Sequence, residues 1–196
     1  LVDRMPFHGL KPEFYALAAG TKSDKDVRMK FPNHPQVNTV YGEINDIDLG
    51  AQIVSVGNSK IGYDGLIIGL GCEDKYHNVP GAEEYTHSIQ TLSKARDTFH
   101  SISELPEGAK VGIVGAGLSG IELASELRES RSDLEIYLYD RGPRILRNFP
   151  EKLSKYVAKW FAKNNVTVVP NSNINKVEPG KIYNCDEPKD LSLIHI

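Results

Sequence analysis

Residues 111–140 read VGIVGAGLSGIELASELRESRSDLEIYLYD, and the order of residue types in this stretch decides the fold. Val111, Ile113 and Val114 form a short β-branched run of strand character. Gly115, Gly117 and Gly120 follow in the spacing Gly-x-Gly-x-x-Gly. Each glycine answers a separate demand: a tight turn out of the strand, backbone approach to a pyrophosphate, and close packing of helix on strand. A helix comes next, with Leu118, Ile121, Ala124 and Leu127 expected on its sheet-facing side and Glu126, Arg128 and Glu129 off it. The loop from Gly115 through Ala116, Gly117, Leu118 and Ser119 to Gly120 is expected to hold a pyrophosphate at the helix N-terminus. The second strand, Leu134 to Tyr139, ends on Asp140, about twenty residues past the last glycine, where such folds place an acid for a ribose 2′-hydroxyl. That acid favours NAD over NADP. Arg141 and Arg144 follow at once, and an arginine there meets a 2′-phosphate if the loop turns inward. A lone glycine motif is also what a plain strand-to-helix turn would show. Here the strand before, the amphipathic helix after and the carboxylate ending the next strand are three independent checks in favour of a nucleotide.

Composition narrows the class further. The chain has 196 residues, 40% of them hydrophobic, and a formal net charge of −3, which fits a soluble globular protein of one large or two small domains. Its lysines and arginines are scattered, so no nucleic-acid surface is expected. No apolar run reaches the length of a membrane span, and no secretory signal opens the chain. Cys72 and Cys185 are far apart in sequence and in no Cys-x-x-Cys or zinc-ligand spacing. A flavin disulfide reductase with two neighbouring thiols is therefore excluded, no metal is expected, and a reducing cytoplasm fits.

Taken in order, Leu1 to Arg4 reads as the end of a buried strand closing on Asp3, in the position that Asp140 holds later. Asp3 is either the ribose acid of a first nucleotide fold or a solvated strand end. Lys11 to Gly20 predicts a helix opened by Pro12 and stopped by Gly20, and Thr21 to Pro35 predicts an exposed loop. Short β-rich pieces at Val37–Tyr41, Ile44–Leu49, Gln52–Val56 and Ile61–Tyr63 predict an antiparallel meander. Leu66 to Ile68 predicts a buried strand running into a glycine turn, and Glu83 to Leu105 a long helix. Pro106-Glu107-Gly108 marks the expected domain boundary. Beyond Asp140, Pro150 opens a helix carrying Leu153, Tyr156, Val157, Trp160 and Phe161 on one face. Val166 to Val169 supplies a third parallel strand, and Ile174–Val177 with Lys181–Tyr183 a hairpin around Pro179-Gly180.

These residues also carry a family likeness. VGIVGAGLSGIELASEL, with Glu122 directly after the Gly-Ile pair, resembles the NAD-binding domain of type II NADH dehydrogenases, flavoproteins of the pyridine nucleotide-disulfide oxidoreductase superfamily. The likeness extends through LVDRMPFHGLKPEFYALAAG, YDGLIIGLGCEDKYHNVPGAEEY and FPEKLSKYVAKWFAKNNVTVV, and is nearest to NADH dehydrogenase-like proteins of the Bacillus type. It implies an α/β fold with two dinucleotide-binding domains, a Rossmann-like NAD domain inserted in an FAD domain, here truncated at both ends. Residues 1–106 would be part of the FAD domain, 107–188 part of the NAD domain, and 189–196 a tail that leaves the family pattern.

The same resemblance implies FAD and NAD as cofactors, NADH as donor and a quinone as acceptor. It further implies homodimerisation and peripheral membrane contact through a region outside this stretch, so that the fragment alone would be inactive. It places Asp3 at the FAD adenosine ribose and Gly71 at the end of a flavin-side motif usually reading Ala-Thr-Gly, which here reads Gly69-Leu70-Gly71. Glu122 would face the nicotinamide and flavin, although the helix macrodipole alone also favours an acid in a first turn. Two rival functions remain open at this point: a non-enzymatic NAD(H)-binding regulatory module, and a ferredoxin-NAD(P) reductase-like flavoprotein.

Overall fold

A computed structural model of the chain describes residues 1–185 and 187–195. Its packing forms two units, residues 1–10 with 28–72, and residues 11–27 with 73–196.

The first unit is built from short strands. β1 (Val2–Asp3) pairs in parallel with β4 (Val40–Tyr41), and β2 (His8–Gly9) pairs antiparallel with β3 (Arg28–Met29). β5 (Ile44–Asp48), β6 (Ile53–Val56) and β7 (Ser59–Gly62) form the expected antiparallel meander in sequence order. Val54 and Val56 are its buried side chains, while Ser55 between them lies on the other face. The expected buried strand at Leu66–Ile68 is absent: Ile67 is 97% exposed and Ile68 60%. Among the described residues no strand pairs with it, and an extended run whose amides lack a ladder partner is not held as a strand.

The second unit opens with a 3-10 turn at Lys11–Glu13 leading into α1 (Phe14–Ala19), which stops at Gly20 in the left-handed region as its sequence predicts. The following segment is mostly exposed, as expected, with Val27 as its one buried residue. α2 (Ala82–Tyr85) and α3 (Leu92–Ser103) replace the single helix expected over Glu83–Leu105. Polar side chains between them divert the backbone. Ser88 Oγ donates to Asp74 (2.6 Å) and accepts from the Gln90 N–H (3.0 Å), and the Ser88 carbonyl accepts from Thr98 Oγ1 (2.7 Å). Thr91 then caps the new helix, its hydroxyl accepting the Lys94 N–H at 3.2 Å. Thr91→Ala removes that cap and is expected to cost about 1 kcal/mol, read as a fall of about 2–4 °C in Tm.

The centre of this unit is a four-stranded parallel sheet of β8 (Lys110–Val114), β9 (Glu135–Tyr139), β10 (Val166–Val169) and β14 (Leu193–His195), ordered β10-β9-β8-β14. α4 (Leu118–Ser130) follows β8, and α5 (Glu151–Lys163) packs against β10. Between β10 and β14 lies an antiparallel three-stranded element, β11 (Ile174–Glu178), β12 (Lys181–Asn184) and β13 (Glu187–Asp190), whose first two strands are the expected hairpin.

In chain order of the sheet strands this is 3-2-1-4, the doubly wound order of dinucleotide folds, with its crevice at the carboxyl end of β8. Val111 and Ile113 are buried in the middle of the sheet, as covering on both faces requires. The tail residues Leu191 and Leu193 are buried too, so residues 193–195 continue the sheet.

Two helix faces differ from expectation. Leu118 is 52% exposed, because the first turn of α4 projects beyond the strand end; Leu123 is buried, because α4 is also covered by α1. On α5 only Ser154 and Phe161 are buried, with Tyr156 70% exposed and Val157 and Trp160 packed at the margin of the core. The packing units are also cut elsewhere than at residues 106–108, since α1 packs against both α3 and α4. Which segment holds which nucleotide is a separate question from which segments pack together.

Candidate nucleotide site

The turn from β8 into α4 has the stereochemistry its glycines predict. Gly115 adopts φ +110°, a conformation that L side chains rarely take, and its N–H donates to the Tyr139 carbonyl at 2.8 Å. A Cβ on Gly120 would lie 1.9 Å from the Gly115 carbonyl oxygen and 3.5 Å from Ile113 Cγ2. Helix and strand thus touch through the missing side chain. At Gly117 a Cβ would meet no protein atom, so the space beside it is open.

Gly117 is the N-cap of α4 and supplies no capping side chain. With Leu118 and Ser119 it is exposed, whereas Ala116 is buried. A helix N-terminus left open in this way presents amide donors and the positive end of its dipole to an anion.

Asp140 closes the site from the end of β9. Its Oδ2 accepts the Ala116 N–H at 2.7 Å and its Oδ1 the Gly142 N–H at 2.6 Å. The sequence places this acid near the glycine turn; the structure bonds it to the turn directly. Each carboxylate oxygen has two lone pairs, so acceptor capacity remains for a pair of ribose hydroxyls. The loop after Asp140 is held as firmly. Arg144 donates to the carbonyls of Leu146 (3.1 Å), Arg147 (2.8 Å) and Phe149 (3.1 Å), and the Leu146 N–H donates to the Ala116 carbonyl at 2.8 Å. Arg144 is therefore spent on its own loop.

A cavity of about 530 Å³ lies against this corner, lined by Val114, Gly115, Tyr139 and Asp140, by Arg141 and Arg147, and by segments 75–79 and 172–175. Sequence reading missed Arg147 and both segments. The segment 75–79 is brought there by Asp74, which accepts from Ser88 and Lys94 on the far side (2.6 and 2.5 Å), and a contact between residues so distant in sequence leaves no local pattern. The basic residues Arg141 and Arg147 flanking the loop were the one available signal.

Glu122 stands in the first turn of α4, half-buried, on a helix packed against α1. Burial first, and the like charge of Glu13 second, hold its carboxyl above the usual glutamate range. Glu13 is itself paired with Lys22 at 2.7 Å, and Glu126 accepts a hydrogen bond from Thr21. Of the remaining candidates, Asp3 ends β1 with Oδ1 accepting the Met5 N–H at 2.8 Å. Gly69 and Gly71 are exposed in a segment without regular secondary structure, Gly71 at φ +81°. All three belong to the first unit. Neither Cys72 nor Cys185 forms a disulfide.

The profile of the pyridine nucleotide-disulphide oxidoreductase family matches residues 3–192. The NADH dehydrogenase-like protein YutJ of Bacillus subtilis is 57% identical over 189 residues, which are 96% of this chain and 53% of that protein. The type II NADH:quinone oxidoreductase NdhA of Mycobacterium tuberculosis is 25% identical over 215 residues, covering 91% of this chain and 45% of that one. Among solved structures, NDH2 from Plasmodium falciparum in complex with NADH superposes with a TM-score of 0.81 at 19% identity, over 100% of this chain and 48% of that one. A ferredoxin reductase from Rhodopseudomonas palustris superposes at 0.84 with 16% identity, over 100% and 50%. The chain thus spans about half the length of the relatives it matches. With the two-dinucleotide-binding fold of those structures and a family match over nearly its whole length, the chain belongs to the pyridine nucleotide-disulphide oxidoreductases.

Proposed function

We propose that the protein is an FAD-dependent NADH dehydrogenase that passes electrons from NADH to a quinone. The observation that carries this reading is the joined corner of open helix N-terminus and Asp140, bonded through the Ala116 N–H. In it, the amides of Gly117 to Gly120 hold the pyrophosphate, with Ala116, Leu118 and Ser119 shaping the loop, and Asp140 accepts the adenosine ribose hydroxyls. Residues 107–188 are the NAD-binding part and residues 1–106 belong to the FAD-binding part. There Asp3, at the carboxyl end of a parallel strand, suits a second ribose, and Gly69 and Gly71 let backbone approach the flavin. Bound nicotinamide and flavin supply the hydride chemistry.

Glu122 orients the nicotinamide or the acceptor through its carboxylate. Quinone as acceptor follows the names of the type II relatives, and a quinone-reducing enzyme works at a membrane surface. No helix among the described residues is long and apolar enough to cross a membrane.

Anaerobic mixing with NADH, followed at the visible flavin band, tests the reading. Bleaching of a bound flavin supports it; a colourless protein that still binds NAD(H) would instead be a regulatory module. Glu122→Gln is expected to lower turnover about 10- to 100-fold, the range of one lost charge-assisted hydrogen bond, with Tm unchanged. The raised carboxyl sets the sign of the pH effect. Glu122 stays neutral to higher pH than an ordinary glutamate, so wild-type turnover rises with pH through an inflection above that range, and the glutamine variant lacks the inflection. Equal turnover of both forms at every pH removes the role.

A further inference from the structure

The segment 75–79, which walls the Asp140 cavity from outside the βαβ unit, carries a turn with a steric cost. His77 and Asn78 both adopt left-handed backbone, at φ 51° and 58°, the one consecutive pair of such non-glycine residues among the described residues. Across them the Val79 N–H donates to the Tyr76 carbonyl at 3.0 Å. Left-handed backbone at both central positions, closed by this bond, is a type I′ turn, which glycine, asparagine and aspartate dominate. Asn78 suits it. A histidine at position 77 is held in a conformation that its Cβ disfavours.

The turn is clamped on both sides, so the surrounding structure carries that cost. Before it, Asp74, with a side chain 5% exposed, accepts from Ser88 Oγ at 2.6 Å and from Lys94 Nζ at 2.5 Å. After it, the Pro80 carbonyl accepts the Val177 N–H at 2.9 Å, and Gly81 approaches β11 so closely that a Cβ there would lie 2.1 Å from the Val177 carbonyl oxygen. Tyr76 and Val79, the first and last residues of the turn, pack against the buried cluster that contains Tyr139 and Val177. His77 and Asn78 are left exposed at the tip, on the cavity that Asp140 also lines. The imidazole has no hydrogen-bond or ion-pair partner among the described residues. A strained residue fixed by its neighbours, with its side chain unused and facing a cavity, is the arrangement of a ligand clamp.

We infer that His77 is a nucleotide-contacting residue whose imidazole stacks on the adenine base of bound NADH. The inference rests on the nucleotide reading of this site, in which Asp140 takes the adenosine ribose and the base lies in the cavity beside it. A flat aromatic ring matches the π-face of a purine. A turn clamped at both ends presents that ring already ordered, so little freedom is lost when the base arrives.

Calorimetric titration of the protein with NADH and with ADP-ribose, together with thermal unfolding, tests this. His77→Asn and His77→Gly keep the turn and remove the ring. Each is expected to weaken both ligands by about tenfold, the size of one lost base–aromatic stack. The glycine variant should at the same time gain about 2–4 °C in Tm, because the left-handed backbone is relieved. Affinity and stability then move in opposite directions, which a residue serving only the turn would not produce. His77→Phe restores a flat ring and should hold both affinities within about threefold of the wild type. Wild-type affinity in the glycine and asparagine variants, or a loss in the phenylalanine variant equal to theirs, overturns the inference, and binding of NADH and ADP-ribose by the wild type leaves the nucleotide reading standing. A wild type that binds neither ligand overturns both.

Discussion

Gly120→Ala is expected to abolish measurable NADH binding and to destabilise the protein by about 3 kcal/mol, the upper part of the range for overpacking a tight contact. The added methyl group would sit 1.9 Å from the Gly115 carbonyl oxygen, and neither partner can yield by rotating a side chain, because both are backbone. The start of α4 must move away from β8. Gly115 cannot follow freely, since its N–H is tied to the Tyr139 carbonyl and its φ is already +110°. The movement also pulls Ala116 from Asp140. Misplacing two helix amides, each giving a charge-assisted bond of about 1.5–3 kcal/mol, corresponds to about a hundredfold or more in affinity. Calorimetry and thermal unfolding read the two effects separately. A variant that binds NADH as the wild type does would show that the helix N-terminus does not hold the pyrophosphate. The same substitution at Gly117 meets no protein atom, so its effect should appear in nucleotide affinity and not in stability.

The difference between these two glycines bears on what a sequence can show. The βαβ unit was legible because its signals are local: a β-branched run, a spacing of glycines, a helical period and a carboxylate all fall within residues 111–140, and the structure places each element accordingly. The same holds for Gly20 as a helix stop and for the β11–β12 hairpin. Errors arose where an element depends on partners distant in the chain. Leu66–Ile68 has the composition of a buried strand, but a strand needs a neighbour to accept its ladder, and composition does not supply one. The break between α2 and α3 depends on Asp74 drawing Ser88 and Lys94 together, fourteen and twenty residues away.

Within the site, the acid at Asp140 could be read from spacing, whereas its bond to Ala116 could not. The arginines divide in the same way. Arg141 and Arg144 look equivalent in sequence, yet only one is left facing a cavity, because the carbonyls of a turning loop consume the other. Arg147 joins the site through the stem-width gap at Gly142, a relation no linear pattern encodes.

Asp140→Ala should produce the second large effect, a loss of NADH affinity. The carboxylate acts twice. It braces the turn through the amides of Ala116 and Gly142, and in the proposed function its remaining lone pairs accept from a ribose. Loss of two hydroxyl-to-carboxylate bonds of about 1.5–3 kcal/mol each lowers NADH affinity by about a hundredfold or more. Asp140→Asn separates the two roles. An amide oxygen can still accept from one backbone N–H, so the turn is partly braced, but the charge is gone, and NADH affinity should fall by about tenfold. Wild-type NADH affinity in the asparagine variant beside a loss in the alanine variant would mean that Asp140 acts only through the turn, and that the ribose is held elsewhere.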